Sequence, residues 1–301
     1  MPKYLTVNDF LEKNDFQSLI IALDKLYAKG HRFNNSTVIE SKKEVFSLNE
    51  VTEDILRPIK TIAGNKGKDL IKSLTGWKGE VISLLELEDF GGYAPLHNMD
   101  SGGFLGSHID HTYTDEGKLI HIGNCIFYAV NDWKADWGGQ TIFFDKSGFN
   151  IVNKISPEKN MLLGFVHDCE SFHGVNYIKS PQGNYRTTIY MDYYIKVDDL
   201  QKFQSIYQKT TGEKFLHFNY LTMFIPFGQK ANFFASVFSR KFLGYFRNYI
   251  RYLEVKHFAV YDNSKITPSG FILRILNLAF KSTLAIKKRL EYFLSKLDRK
   301  K

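Results

Sequence analysis

Residues 121–130, His121-Ile122-Gly123-Asn124-Cys125-Ile126-Phe127-Tyr128-Ala129-Val130, run in β-branched and aromatic residues and stop at Asn131 and Asp132. A run of this length and composition, closed by turn formers, reads as a strand. The same texture begins at Val81, and strands are expected near 81–87, 104–111, 121–130, 140–144, 149–153, 160–166, 171–177 and 185–195. Short strands at such regular spacing predict a β-sandwich or a jelly roll.

Upstream, Leu5, Phe10, Leu11, Phe16, Leu19, Ile20, Leu23 and Leu26 recur at spacings near three and four. That spacing predicts an amphipathic helix over 5–29, capped by Asn8 or Asp9. Turns follow at Gly30 and Asn34–Asn35, and then a second helical stretch from Leu48 to Leu74, interrupted near Pro58 and Gly64. These helices should pack on one sheet. Beyond Val197 the strand signal fades, and Pro226, Gly228, Pro268 and Gly270 punctuate helical-looking segments. The expected organisation is a domain over 1–200, with helices in 1–78 and the β core in 79–198, followed by a basic, aromatic-rich helical extension over 201–301.

A chain of 301 residues with 44% hydrophobic and 24% charged residues is long and apolar enough to bury a core, which argues against disorder. Cys125 and Cys169 form no CxxC pair, which argues against a disulfide framework or a thiolate zinc site and fits a reducing compartment. The N-terminus has no apolar run of signal-peptide length, so a cytoplasmic location is expected. Charge is divided along the chain: residues 1–200 carry 21 Lys/Arg against 27 Asp/Glu, and residues 201–301 carry 19 against 5. The basic end points to an anionic partner.

Gly106-Ser107-His108-Ile109-Asp110 sets two metal-ligating side chains two residues apart, so a strand sends both to one face. His173, on a later strand, is the natural third ligand. Two histidines and one carboxylate on one face of an iron ion leave positions open for cosubstrate and dioxygen. Thirteen residues on, Tyr185-Arg186-Thr187-Thr188 offers a guanidinium for the distal carboxylate of a 2-oxo acid. Thr188, on the same face as Arg186, adds a hydroxyl donor.

With these residues the sequence resembles the prolyl-4-hydroxylase-like branch of the 2-oxoglutarate/iron(II) oxygenases over Val81–Tyr194. Phe127-Tyr128-Ala129-Val130-Asn131-Asp132-Trp133 is similar to the family's Tyr-Leu-Asn-x-x-Trp strand, and Gly138-Gly139-Gln140-Thr141-Ile142-Phe143 to its Gly-Gly-x-Thr-x-Phe turn. His173-Gly174 and Arg186-Thr187-Thr188 complete the family order. The resemblance implies an α+β protein with a double-stranded β-helix (jelly roll, cupin-like) core. It also implies Fe(II), 2-oxoglutarate and O2, ascorbate as an optional reductant, and succinate and CO2 as products. Halogenating members replace the carboxylate ligand by a small residue, and Asp110 argues against that chemistry.

Tyr128 is a candidate hydrogen-bond donor to 2-oxoglutarate, with a buried core tyrosine as the plainer reading, and Asn124 should face the same way. Gly138 and Gly139 are assigned structural roles only. His111 should point away from the ligand face, His97 is a candidate substrate contact, and His121 and His167 read as satisfied core or edge histidines. Asp115 and Glu116 read as a turn, Trp133 and Trp137 as packing or lid residues, and the two cysteines as small core residues.

The extension interleaves Phe233-Phe234, Arg240-Lys241-Phe242, Tyr245-Phe246-Arg247 and Lys287-Lys288-Arg289, with no uncharged run of membrane-spanning length. Such helices either pack on the core or lie against an anionic membrane, placing the enzyme on its inner face. No nucleic-acid module is recognisable. The expected substrate is a glycan, glycolipid or other small molecule. A prolyl side chain, or a noncatalytic jelly roll that binds carbohydrate, is the alternative.

Overall fold

The computed structural model of the chain describes residues 2–33, 40–87, 94–114, 117–218, 222–224, 248–250, 252–253 and 256. Its centre is an antiparallel sheet of twelve strands that curls on itself. The path runs β1 (Tyr4–Val7), β9 (Met161–Val166), β6 (Leu119–Tyr128), β11 (Arg186–Lys196), β4 (Leu96–Ile109), β10 (His173–Val175), β7 (Thr141–Phe144) and β8 (Ile151–Ile155).

β4 turns the corner. Its first half pairs with β11 from Leu96 to Met99, and its second half pairs with β10 at Leu105 and His108. Between the halves lie Gly102, with φ of +85°, and a register shift against β2 (Glu40–Phe46). One strand thereby belongs to both walls of a double-stranded β-helix. β3 (Ile82–Ser83), β5 (Tyr113–Thr114) and β12 (Met223–Phe224) extend the sheet beside β11, β6 and β4.

α1 (Lys13–Tyr27), α2 (Glu53–Ala63) and α3 (Asn65–Thr75) bury one face of the larger wall. Phe16, Leu19, Leu23 and Leu26 form the buried stripe of α1, and Phe10 and Phe16 meet the Phe127 ring with centroids 6.0 and 6.3 Å apart. Each such side chain contributes about 1.5–3 kcal/mol by leaving water. Strand alternation then gives β6 two roles: Cys125 and Phe127 face the helices, while Asn124 and Ile126 face the interior of the curl.

Several expectations need correction. Tyr4–Val7 is a strand paired with Leu162–Phe165, not the first turn of a helix, and α1 begins after Glu12 rather than at Asn8 or Asp9. Pro58 lies inside α2, where the loss of one N–H is tolerated, and the break falls at Gly64 alone. Glu40–Phe46, where no element is expected from the sequence, is a charged strand alongside β4. The strand expected over 81–87 stops at Ser83, because the Ser83 N–H and hydroxyl both donate to the Glu86 carboxylate and wind Leu84–Glu86 into a 3-10 turn.

The described part of residues 201–301 is docked on this core. α4 (Leu200–Thr211) packs Phe203 against Trp77, and β12 pairs with the end of β4 at Ile109 and His108. Tyr252 joins Ile142, Phe144 and Phe172 in a buried cluster, and Lys256 pairs with Glu170 at 2.8 Å. Among the described residues no helix is long and apolar enough to cross a membrane.

Candidate metal and cosubstrate site

His108 is the penultimate residue of β4 and Asp110 follows its end, so the period of two sends both side chains inward while Ile109 is buried on the opposite side. β10 places His173 in register with His108. The His108 Nε2 lies 3.4 Å from one Asp110 carboxylate oxygen and the His173 Nε2 lies 3.4 Å from the other. Both Nδ1 atoms are tied to backbone carbonyls, His108 to Gly106 at 2.9 Å and His173 to Ser171 at 3.0 Å. Carbonyls only accept, so each Nδ1 carries the proton and each Nε2 presents a lone pair. The Asn124 Nδ2 donates to Asp110 at 3.0 Å and fixes the carboxylate.

Burial pushes the Asp110 carboxyl up, but the adjacent His173 and His108 rings outweigh it and hold it well below the usual carboxylate range. Burial lowers His108, whereas Asp110 outweighs burial at His173 and raises it. Two imidazole lone pairs and an ionised carboxylate converging this closely, each fixed by an outer hydrogen bond, are a donor set that fits a divalent iron ion.

Arg186 opens β11 and is buried. Its Nε donates to the Gly139 carbonyl at 2.6 Å and one terminal nitrogen donates to the Thr141 hydroxyl at 3.0 Å, with the guanidinium 5.4 Å from the centre of the Tyr128 ring. The remaining N–H groups of the fork are left for an anion. Gly139 is thus more than a turn former: its left-handed backbone, φ of +71°, aims the carbonyl that orients Arg186, and a Cβ there would lie 3.2 Å from the Arg186 Cδ. Thr141, not singled out from the sequence, also shares a 2.6 Å hydrogen bond with the Tyr128 hydroxyl. The phenol of Tyr128 is therefore turned toward Thr141 and Arg186. Thr188 lines the cavity of about 280 Å³ that joins Arg186 to the His108, Asp110 and His173 cluster.

Other sequence readings resolve as follows. His97 lines the cavity, its ring tilted against that of Tyr190 with centroids 4.4 Å apart. His111 also lines it, contrary to the alternation argument, because β4 ends at Ile109 and the strand period no longer governs the chain. Its Nε2 lies 2.7 Å from the Tyr194 hydroxyl. His121 and His167 are buried core residues, but neither ring nitrogen of His167 has a hydrogen-bond partner among the described residues. Trp133 packs, donating its Nε1–H to the Gly138 carbonyl at 3.0 Å, and both cysteines are free and buried. Phe224, unnoticed in the sequence, stacks on His108 with ring centroids 4.9 Å apart. Asn34–Asn35, Asp115, Glu116 and the aromatic and basic residues at 233–247 and 287–289 lie outside the described residues.

Residues 94–192, which contain every one of these motif residues from His97 to Arg186, match the family model of the 2OG-Fe(II) oxygenase superfamily. The chain carries a 2OG-Fe(II) oxygenase domain. This oxygenase domain takes iron(II), 2-oxoglutarate and O2, and the protein is a 2-oxoglutarate-dependent dioxygenase rather than a noncatalytic jelly roll.

No curated protein matches the chain. Among solved structures, the oxygenase is similar to a prolyl hydroxylase from Trichoplax adhaerens in complex with a hypoxia inducible factor peptide fragment, at 17% identity over 67% of this chain and 86% of that one, with a TM-score of 0.43. It is also similar to a Pseudomonas putida prolyl-4-hydroxylase, at 14% identity over 65% and 94%, TM-score 0.44. A third is HygX from Streptomyces hygroscopicus with nickel, 2-oxoglutarate and hygromycin B bound, at 10% identity over 65% and 84%, TM-score 0.41.

Proposed function

We propose that this dioxygenase hydroxylates a C–H bond of a polar small molecule, a glycan or a glycolipid, with His108, Asp110 and His173 holding iron(II) and Arg186 anchoring 2-oxoglutarate. The observation that carries the site assignment is the convergence of two backbone-fixed imidazoles on the Asp110 carboxylate, at the other end of one cavity from a buried, half-satisfied guanidinium. Iron with 2-oxoglutarate and dioxygen supplies the C–H oxidant and releases succinate and CO2.

The chain supplies everything else. The Gly106 and Ser171 carbonyls hold the tautomers that aim both Nε2 lone pairs inward. Asn124 keeps Asp110 from rotating away. Gly139 and Thr141 pin one side of the Arg186 fork, so its free N–H groups meet the distal carboxylate of the cosubstrate without having to be ordered at binding. Thr188 adds a donor on the same face, and Tyr128 supports Arg186 from beneath.

The substrate class is supported by the lining of the cavity. Lys43, His97, His111, Asn124, Tyr190 and Asp192 line it beside the apolar Met99, Leu105, Ile126, Val175 and Phe224, and these donors and acceptors suit hydroxyl groups. The positive charge of residues 201–301 supports presentation of that substrate at an anionic surface.

The test is succinate formation by the full chain with iron(II), ascorbate and 2-oxoglutarate, with sugar and glycolipid panels beside prolyl peptides. Stimulation by a hydroxyl-rich compound, lost in Asp110→Ala, is expected. Stimulation by prolyl peptides alone would overturn the substrate class, and a wild-type protein that binds no iron would overturn the site.

A further inference from the structure

A second group of metal-ligating side chains lies beside the first. A ring nitrogen of His111, one of His121 and a carboxylate oxygen of Asp192 fall within 4.8 Å of one another. Three elements build it. His111 follows the end of β4, Asp192 points inward from β11, and His121 comes from β6. His121 reaches the inner face because of a bulge: Asn124 pairs with Asp192 and Gly123 with Tyr193, but Tyr194 pairs with His121, so Ile122 is an extra residue. The shift places His121 and Asn124 on one face although they are three apart.

The hydrogen bonding here is incomplete in one direction. The His121 Nδ1 lies 2.9 Å from the His111 carbonyl, which only accepts, so this nitrogen carries the proton. The Nε2 of the neutral ring then faces two oxygens, the Gly123 carbonyl at 3.2 Å and the Asp192 carboxylate at 3.6 Å. Asp192 is 3% exposed, and its Oδ1 has no hydrogen-bond partner. The Asn124 Oδ1 and both nitrogens of His167, whose ring stacks 4.0 Å from His121, are in the same condition. These are four of the six buried side-chain atoms without a partner among the described residues. Burial raises the Asp192 carboxyl to about 7, and an unpartnered buried carboxylate oxygen beside an imidazole nitrogen is satisfied by a proton or by a cation. A proton on His121 would satisfy Gly123 but leave Asp192 beyond hydrogen-bonding distance.

We propose that His111, His121 and Asp192 form a second, divalent-cation site, distinct from the iron site and suited to zinc. Two imidazoles and a carboxylate are a zinc donor set, and the Gly123 or Asn124 oxygen stands ready as a fourth ligand. Four-coordinate zinc with bonds of about 2.0–2.1 Å sets its ligand atoms about 3.4 Å apart. The His121 Nε2 lies 3.6 Å from the Asp192 Oδ1 and the His111 Nε2 lies 4.0 Å from the other carboxylate oxygen, so His111 must close on the ion. That closure exchanges the His111 bond to the Tyr194 hydroxyl for the ion. The hydroxyl already donates to the Asp192 Oδ2 at 3.4 Å and holds the carboxylate with its Oδ1 toward His121. Because His111 and Asp192 both line the substrate cavity, the ion sets the shape of its polar wall.

The test uses Co²⁺ alone as probe, added to the chelator-stripped full chain, with cobalt per chain measured after desalting and its visible spectrum recorded before and after 2-oxoglutarate. Two ions per wild-type chain are expected, one of them responsive to 2-oxoglutarate. His121→Gln should retain one responsive ion, and His111→Gln, at a half-buried position that tolerates change, should do the same. His108→Ala should retain one unresponsive ion. A wild-type chain that saturates at one ion, lost in His108→Ala and kept in His111→Gln, overturns the second site and leaves the iron assignment standing. An ion lost in His111→Gln and kept in His108→Ala supports the second site and removes the iron assignment instead.

Discussion

Replacing Arg186 by Met keeps most of the stem volume and removes the fork. In the wild type this side chain is 3% exposed and spends two N–H groups on Gly139 and Thr141, so under the proposed assignment the cosubstrate carboxylate would meet a guanidinium already desolvated and oriented. Truncating one partner of a buried charged pair costs about 2–5 kcal/mol. At about 1.4 kcal/mol per tenfold, that predicts a rise in the 2-oxoglutarate Kd of roughly 30-fold to more than 1000-fold. Arg186→Lys keeps the charge but cannot bridge Gly139, Thr141 and a ligand at once, and should fall between the two. Titrating 2-oxoglutarate into the iron(II)-loaded protein, followed by charge-transfer absorption, measures both. Iron itself should remain bound, since no ligand is touched. A change below threefold in Arg186→Met, with iron retained, would refute the assignment of the anchor.

Three further outcomes are expected. A proposed iron ligand, His173 must be neutral to bind, and Asp110 raises this imidazole above its ordinary value, so iron affinity should begin to fall with acidification at a higher pH than for an ordinary histidine of about 6.5; a flat affinity from pH 8 to 5 would contradict the pairing. In the metal-free protein the sign differs by residue: stability from His173 is lost as pH rises through its raised value, and stability from Asp110 is lost as pH falls toward its depressed one. Phe224→Ala removes the ring stacked on His108 and about 0.5–1.5 kcal/mol of aromatic contact, so iron should be lost to a chelator several-fold faster, and an unchanged rate would deny Phe224 that role. Gly123→Ala sets a Cβ 2.8 Å from the Ile71 Cδ1 and 3.1 Å from the Phe165 carbonyl, and should cost about 1–3 kcal/mol in denaturant unfolding; a neutral result would show that α3 yields there.

How much of this is legible in the sequence depends on how local each signal is. His108 and Asp110 follow from a two-residue spacing at a strand end, and Arg186 and Thr188 from the same period on the last long strand. The helices α2 and α3 show in their apolar stripes, and the run at 121–130 marks β6 to within two residues. Glu40–Phe46 does not show, since a strand held by one wall of the sheet carries charge like a loop. The grouping of His111, His121 and Asp192 is invisible because it depends on where β4 stops and on one extra residue opposite Tyr193 and Tyr194. Gly123 inside an apolar strand is the one local hint of that bulge. Phe224 reaches His108 through a two-residue strand, too short for any periodic signal.

The pairing of β1 with β9 bears on how the molecule is made. During synthesis β1 must wait for Leu162–Phe165 before its backbone is satisfied, and His108 and Asp110 must wait for His173. Nearly every ladder in the sheet joins distant stretches of chain, a high contact order that predicts slow folding and a long interval in which unpaired strands are open to aggregation. The proposed iron ligands come together only as β4 and β10 meet. Metal capture during refolding should therefore lag behind helix formation and coincide with protection of the β4 and β10 amides, making iron uptake a clock for the last stage of assembly.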